Sequence, residues 1–85
     1  MMKNILIIGC GLIGSSLLRV IVKKKISKKI FIYEKSKKNI LKIKKLRLPC
    51  KITNDFKNIV PRLDLIIFCT PMSEYEKIIL KMNKY

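Results

Sequence analysis

Four consecutive aliphatic residues, Ile5 to Ile8, lie near the start of the chain and run directly into glycine. A short unbroken apolar run bounded by glycine predicts a parallel strand buried on both faces. Beyond it Ile13, Leu17, Val20 and Ile21 fall at i, i+4, i+7 and i+8, which predicts a helix of about three turns with that face inward. Lys23 to Lys29 form a basic connection, and Ile30 to Tyr33 a second strand of the buried type. Ser36 is placed to cap a second helix that turns Ile40, Leu41, Ile43 and Leu46 toward the sheet, with Pro49 closing the region. Cys50 to Thr53 is a short third strand on weak patterning. Asn54 or Asp55 starts a single helical turn through Phe56, Ile59 and Val60 that ends at Pro61. Leu63 to Cys69 is a fourth strand. Ser73 and Glu76 then have capping-box spacing, and Ile78, Ile79 and Met82 give the helix they open an apolar face.

Strands alternating with helices predict an α/β fold, a Rossmann-like doubly wound parallel sheet with strand order 3-2-1-4. Eighty-five residues hold only the first part of such a domain, so residues 1–85 are expected to be a single N-terminal domain of this fold, incomplete and apparently truncated. A chain of this size buries only about 60% of its unfolded surface, and its stability is expected to be marginal.

The chemistry lies where the first strand ends. Gly9, Gly11 and Gly14 form a G-x-G-x-x-G between a strand and a helix. In that context the first glycine makes the tight turn, the second admits the backbone close to a pyrophosphate, and the third lets helix and strand pack. The anion then meets the amide hydrogens and positive dipole of the helix N-terminus. Glu34 follows Gly14 by 20 residues and directly follows the second strand, where a carboxylate accepts hydrogen bonds from the adenosine ribose hydroxyls. A carboxylate there repels a 2′-phosphate, which favours NAD over NADP, although Lys35 beside it weakens the preference. The plainer alternative for Glu34 is a solvated carboxylate that balances nearby lysines. Thr70 comes at the carboxyl end of the fourth strand, on the side of the glycine turn, and its plainer alternative is an ordinary turn residue before Pro71.

Seventeen Lys, 16 Ile and 5 Asn make up 38 of the 85 residues, while Ala, Gln, His and Trp are absent. This bias tempers the net charge of +15. Only 3 of the 20 cations are Arg, and the aromatics lie in or beside hydrophobic runs, so the lysines read chiefly as solvated surface and no specific nucleic-acid partner is expected. Cys10, Cys50 and Cys69 are widely spaced, which indicates neither a disulfide framework nor a metal site and fits a reducing cytoplasm. Glycines, serines and Arg19 interrupt the apolar stretch from Ile5 to Val22, so no membrane span or signal peptide is expected.

Gly-Cys-Gly-Leu-Ile-Gly-Ser-Ser-Leu at 9 to 17, Tyr33-Glu34, and the run from Asp64 to Thr70-Pro71 together resemble the N-terminal segment of prephenate/arogenate (cyclohexadienyl) dehydrogenases. The resemblance covers essentially the whole chain. Its glycine turn and strand ending in Thr-Pro are shared with β-hydroxyacid, pyrroline-carboxylate and ketopantoate reductases. It implies an NAD(P)-dependent oxidative decarboxylation of prephenate or arogenate in tyrosine biosynthesis. On that resemblance Gly9, Cys10, Gly11, Leu12, Ile13 and Gly14 form the pyrophosphate turn, Glu34 takes the ribose, and Thr70 and Pro71 border the nicotinamide half. The family's histidine and substrate-binding arginines come later in its sequence, as does the helical domain that forms its homodimer. This chain has no histidine, so no catalytic residue is assigned and the isolated chain is expected to be inactive. The alternatives are a stand-alone NAD-binding regulatory module, another reductase of the β-hydroxyacid type, and a basic nucleic-acid-binding protein.

Overall fold

The computed structural model describes residues 2–9, 11–70 and 72–84. Strand β1 (Met2–Ile8) lies at the centre of a four-stranded parallel sheet, between β2 (Ser27–Tyr33) and β4 (Leu65–Phe68). The two-residue β3 (Lys51–Ile52) extends the sheet beyond β2, pairing with Phe31 and Ile32. The order β3-β2-β1-β4 is the one predicted for an incomplete doubly wound fold.

The apolar run of β1 explains the layering. Ile5 to Ile8 are at most 1% exposed, and their side chains alternate between two cores. Ile5 and Ile7 pack with Leu18 and Ile21 of α1 (Leu12–Lys23) and with Ile43 of α2 (Lys37–Leu46). Leu6 and Ile8 pack on the opposite face with Phe56 and Ile59 of α3 (Phe56–Ile59) and with Ile78 and Met82 of α4 (Met72–Met82). Helices thus cover both faces, which lets a strand with no polar side chain from Ile5 to Ile8 sit in the middle.

Several sequence expectations are corrected. β2 begins at Ser27, inside the stretch read as a basic connection, because Met2 pairs with Ser27 and Asn4 with Lys29. β4 is shorter than predicted, starting at Leu65 after a bend at Asp64. Pro61 lies within a 3-10 turn (Val60–Arg62) that continues α3. Val20, Leu41 and Ile79, all assigned to inward faces, are 49%, 60% and 41% exposed. At about 100° per residue, Leu41 lies nearly opposite the buried Ile43, and Val20 lies well off the stripe through Leu18 and Ile21. Helix α4 opens at Met72, one residue ahead of the predicted cap Ser73, whose side chain is outside the described residues. No helix among the described residues is long and apolar enough to cross a membrane.

Two junctions hold the frame. At the amino end of the sheet Asp64 Oδ2 accepts the backbone N–H groups of Lys3 at 2.8 Å and Asn4 at 2.9 Å, and the Asp64 N–H donates to the Asn4 carbonyl at 2.9 Å. The Asn4 side-chain amide donates to the Arg62 carbonyl at 2.8 Å. These bonds fix the entry of β4 beside β1. At the end of α1 the N–H of Lys25 donates to Val22 and that of Ile26 to Ile21, the paired bonds of a Schellman stop. Its left-handed position, with φ of 52°, is held by Lys25 where glycine is usual.

The Asn4 N–H, then the Lys3 N–H, hold the Asp64 carboxyl below its ordinary value. A depressed folded value means that the contribution is complete above the ordinary carboxylate range and is lost as pH falls through the folded value. Thermal unfolding followed by circular dichroism should therefore show Asp64→Asn melting below the parent at pH 7, with the gap closing in acid. A gap that persists unchanged in acid would remove the charge from the account. Lys25→Gly should raise stability by about 1 kcal/mol in urea unfolding, since it relieves a left-handed side chain without touching a packed group.

Candidate functional site

The carboxyl ends of β1, β2 and β4 meet at Gly9. Its N–H donates to the Tyr33 carbonyl at 2.8 Å, carrying the β1–β2 ladder one step past the strand, and the Cys69 N–H donates to the Ile8 carbonyl at 2.7 Å on the other side. Gly9 is left-handed, with φ of 80°. A Cβ built on it would run into Thr70 Cγ2 and come within 3.1 Å of the Thr70 backbone nitrogen. Backbone angle and crowding therefore both require glycine at this point.

Two residues on, the environment reverses. Gly11 is the N-cap of α1, with φ of −79°, and no described residue other than its chain neighbours comes within 4 Å of where its Cβ would be. The first turn of α1 has no side-chain cap and no acidic residue, so its positive end is not countered from within the helix. Gly14 is buried within α1. Leu12 and Ile13 form the start of the helix, but their side chains are outside the described residues, as are Cys10 and Pro71 altogether.

A cavity of about 260 Å³ opens beside this turn, lined by Gly9, Tyr33, Glu34, Lys35, Ser36, Thr70 and Ile78. Gly9, Glu34 and Thr70, which the sequence proposed separately, are thus brought together. Thr70 Oγ1 is buried and has no hydrogen-bond partner among the described residues. An orphaned hydroxyl costs free energy unless a bound group or water satisfies it, so this is where a ligand atom is expected. Crowding at Gly9, open space at Gly11 and the orphaned hydroxyl fit a ligand that carries a phosphate chain past the turn.

Glu34 is not simply solvated. Its Oε2 accepts the Ser36 N–H and its Oε1 accepts the Asn39 side-chain amide, each at 3.2 Å. The predicted cap of α2 is present, with Ser36 Oγ accepting the Asn39 N–H at 3.3 Å. In a capping box the third helical residue returns a carboxylate to the cap N–H. Here Glu34 does so from the strand side, and Asn39 holds Glu34. Sequence reasoning missed Asn39, although its place three residues after the cap was a usable signal. It also missed Tyr33 as a lining residue; the ring is seated on Phe56 with centroids 4.8 Å apart.

A larger cavity of about 630 Å³ lies away from this turn, lined by Asn4, Phe31, Lys51, Asn58 and Arg62 among others, and it contains none of the glycine-turn residues. The smaller cavity is the better candidate because the left-handed Gly9 turn and the orphaned hydroxyl converge there. Burial pushes the Cys50 and Cys69 thiols up, which disfavours the thiolate form at neutral pH.

Gly9→Ala should lower stability by about 1 to 3 kcal/mol. Thr70→Ser, which removes Cγ2 and keeps the hydroxyl, should recover part of that loss. The measurement is a double-mutant cycle in urea unfolding, and strictly additive effects would mean that the contact with Thr70 is not what excludes a side chain.

Residues 4–85 match the family described as NADP oxidoreductase, coenzyme F420-dependent. The match spans nearly the whole chain, and the chain belongs to this family. It is an NAD(P)-binding oxidoreductase domain of Rossmann-like fold, and the match does not single out a substrate. No curated protein matches the chain.

Proposed function

We propose, from this family membership and the shape of the glycine turn, that the chain holds the dinucleotide of a prephenate/arogenate-type dehydrogenase and prefers NAD. One observation carries the cofactor reading: Gly9 is shut against Thr70 while Gly11, at the head of an uncapped helix, faces open space. Room at the second position is what the close approach of a pyrophosphate to the backbone needs.

In this reading the amides of the turn and the N-terminus of α1 bind the pyrophosphate, with Gly14 allowing α1 to lie close to β1. Glu34 accepts the adenosine ribose hydroxyls. A carboxylate has about four lone-pair sites, and two are used by Ser36 and Asn39, so acceptors remain for a 2′,3′-diol. Thr70 and Pro71 border the nicotinamide half, where the Thr70 hydroxyl finds its missing partner. Nicotinamide, when bound, supplies a hydride acceptor. The chain's own task is to hold it and to keep water from the turn.

The substrate class rests on the resemblance of the turn, of Tyr33-Glu34 and of the strand ending in Thr70-Pro71 to prephenate/arogenate dehydrogenases. In such a reaction hydride leaves the ring carbon bearing the hydroxyl, and carbon dioxide departs. With no histidine in the chain, none of its residues is assigned to move the hydroxyl proton. The chain therefore carries the cofactor half of the reaction. Substrate contacts and homodimer formation belong, in this proposal, to a helical domain of the complete enzyme.

Gly11→Val provides the test. A Cβ at Gly11 meets no described residue beyond its chain neighbours, so the variant should still fold, as its melting curve checks. Its affinity for NADH should fall at least tenfold, about 1.4 kcal/mol. The chain has no tryptophan, so NADH fluorescence or calorimetry at moderate salt is the readout. Equal affinity for variant and parent would overturn the cofactor assignment.

A further inference from the structure

We propose that Asn39 is a positioning residue for cofactor choice: it fixes the Glu34 carboxylate so that the chain discriminates a dinucleotide with a free ribose 2′-hydroxyl from one with a 2′-phosphate. The inference rests on the role given to Glu34 above and extends it to a residue on the neighbouring helix.

The interlock has three bonds. The Asn39 side-chain amide donates to Glu34 Oε1, the Ser36 N–H donates to Glu34 Oε2, and the Asn39 N–H donates to Ser36 Oγ. Each Glu34 oxygen is thus tied once, and the carboxylate is set in one orientation at the rim of the cavity. Asn39 is half-buried, while Lys37 and Lys38 beside it are exposed. Helix α2 has no acidic residue in its first turn, and Glu34 is the one carboxylate among the described residues lining the cavity. Among the described lining residues it is the negative charge at this rim, close to the amino end of α2. Held in place, it offers acceptors to a diol and repels a phosphate. Without the Asn39 amide it keeps one tether and can rotate away, so the repulsion it sets against a phosphate at the rim is weakened. The consequence has a direction: binding of the diol weakens, and binding of the 2′-phosphate holds or improves.

Alanine at 39 is benign for the helix itself, since it keeps the N–H to Ser36 and has the highest helix propensity. The experiment titrates NADH and NADPH, both read by fluorescence, against the 85-residue chain and its variants. Asn39→Ala should narrow the NADH preference about fivefold, less than the full worth of a hydrogen bond to a charged group because the Ser36 N–H still holds Glu34. Asn39→Gln, which keeps an amide donor, should fall between Asn39→Ala and the parent. Glu34→Gln should narrow the preference at least as far, and adding Asn39→Ala to it should change the ratio no further, because the residue acts through the charge. An unchanged ratio in Asn39→Ala, or an equal loss for both dinucleotides with a lowered melting point, would reduce Asn39 to a helix brace and overturn the inference while leaving dinucleotide binding intact. A parent chain that binds neither dinucleotide would overturn the proposed function and this inference with it.

Discussion

Gly9 sits where three strands end, and the rest of the candidate site depends on how it is held. Its N–H is committed to Tyr33, its neighbour Ile8 accepts from Cys69, and Thr70 fills the space where a side chain would stand. The chain can leave the sheet here only by turning through a left-handed angle, which only glycine adopts at little cost. That turn delivers Gly11 to the head of α1 with room around it. Because β1 is buried on both faces and tied on both edges, the turn cannot relax by shifting the strand. Its position is as firm as the centre of the core.

The same rigidity explains what could be read from sequence. The Ile5–Ile8 run, the glycine spacing and Glu34 at the end of β2 are local signals: they gave the sheet order, and the structure brings Gly9, Glu34 and Thr70 to one cavity. The misreadings come from information the chain does not hold locally. Ser27 to Lys29 join β2 only because Met2 to Asn4 lie beside them, so a polar, basic stretch becomes strand through pairing. Leu41, Val20 and Ile79 are apolar yet exposed, because isoleucine and leucine are so frequent here that neighbouring apolar residues no longer mark one helical face. Asn39 is a different kind of miss, since it stands only five residues from Glu34 and three from the cap Ser36, within reach of a local reading.

The few acids show how so basic a chain spends its negative charge. Glu34, Asp55 and Asp64 each accept from a backbone N–H or a side-chain amide: Glu34 from Ser36 and Asn39, Asp55 from Asn58, and Asp64 from Lys3 and Asn4. All three stand at junctions where a loop enters or leaves an element. A carboxylate held by directed N–H donors fixes geometry, whereas an exposed pair with a lysine contributes little and is screened by salt. The surplus of lysine is then left as a diffuse positive field, which suits an anionic ligand without specifying one.

The two ends of the sheet differ in a way that connects stability with function. At the amino end the donors of Lys3, Asn4 and Asp64 find acceptors, and β4 is stapled to β1. At the carboxyl end, among the described residues, a buried hydroxyl lacks a partner, a helix begins without a side-chain cap, and the place of a Gly11 Cβ is clear. Local rules are satisfied at one end and broken at the other, which is the pattern expected where a binding site draws on stability supplied elsewhere. A small domain has little stability to spare, so a ligand that met those unsatisfied groups would also hold the turn, and occupancy and folding would reinforce each other by mass action.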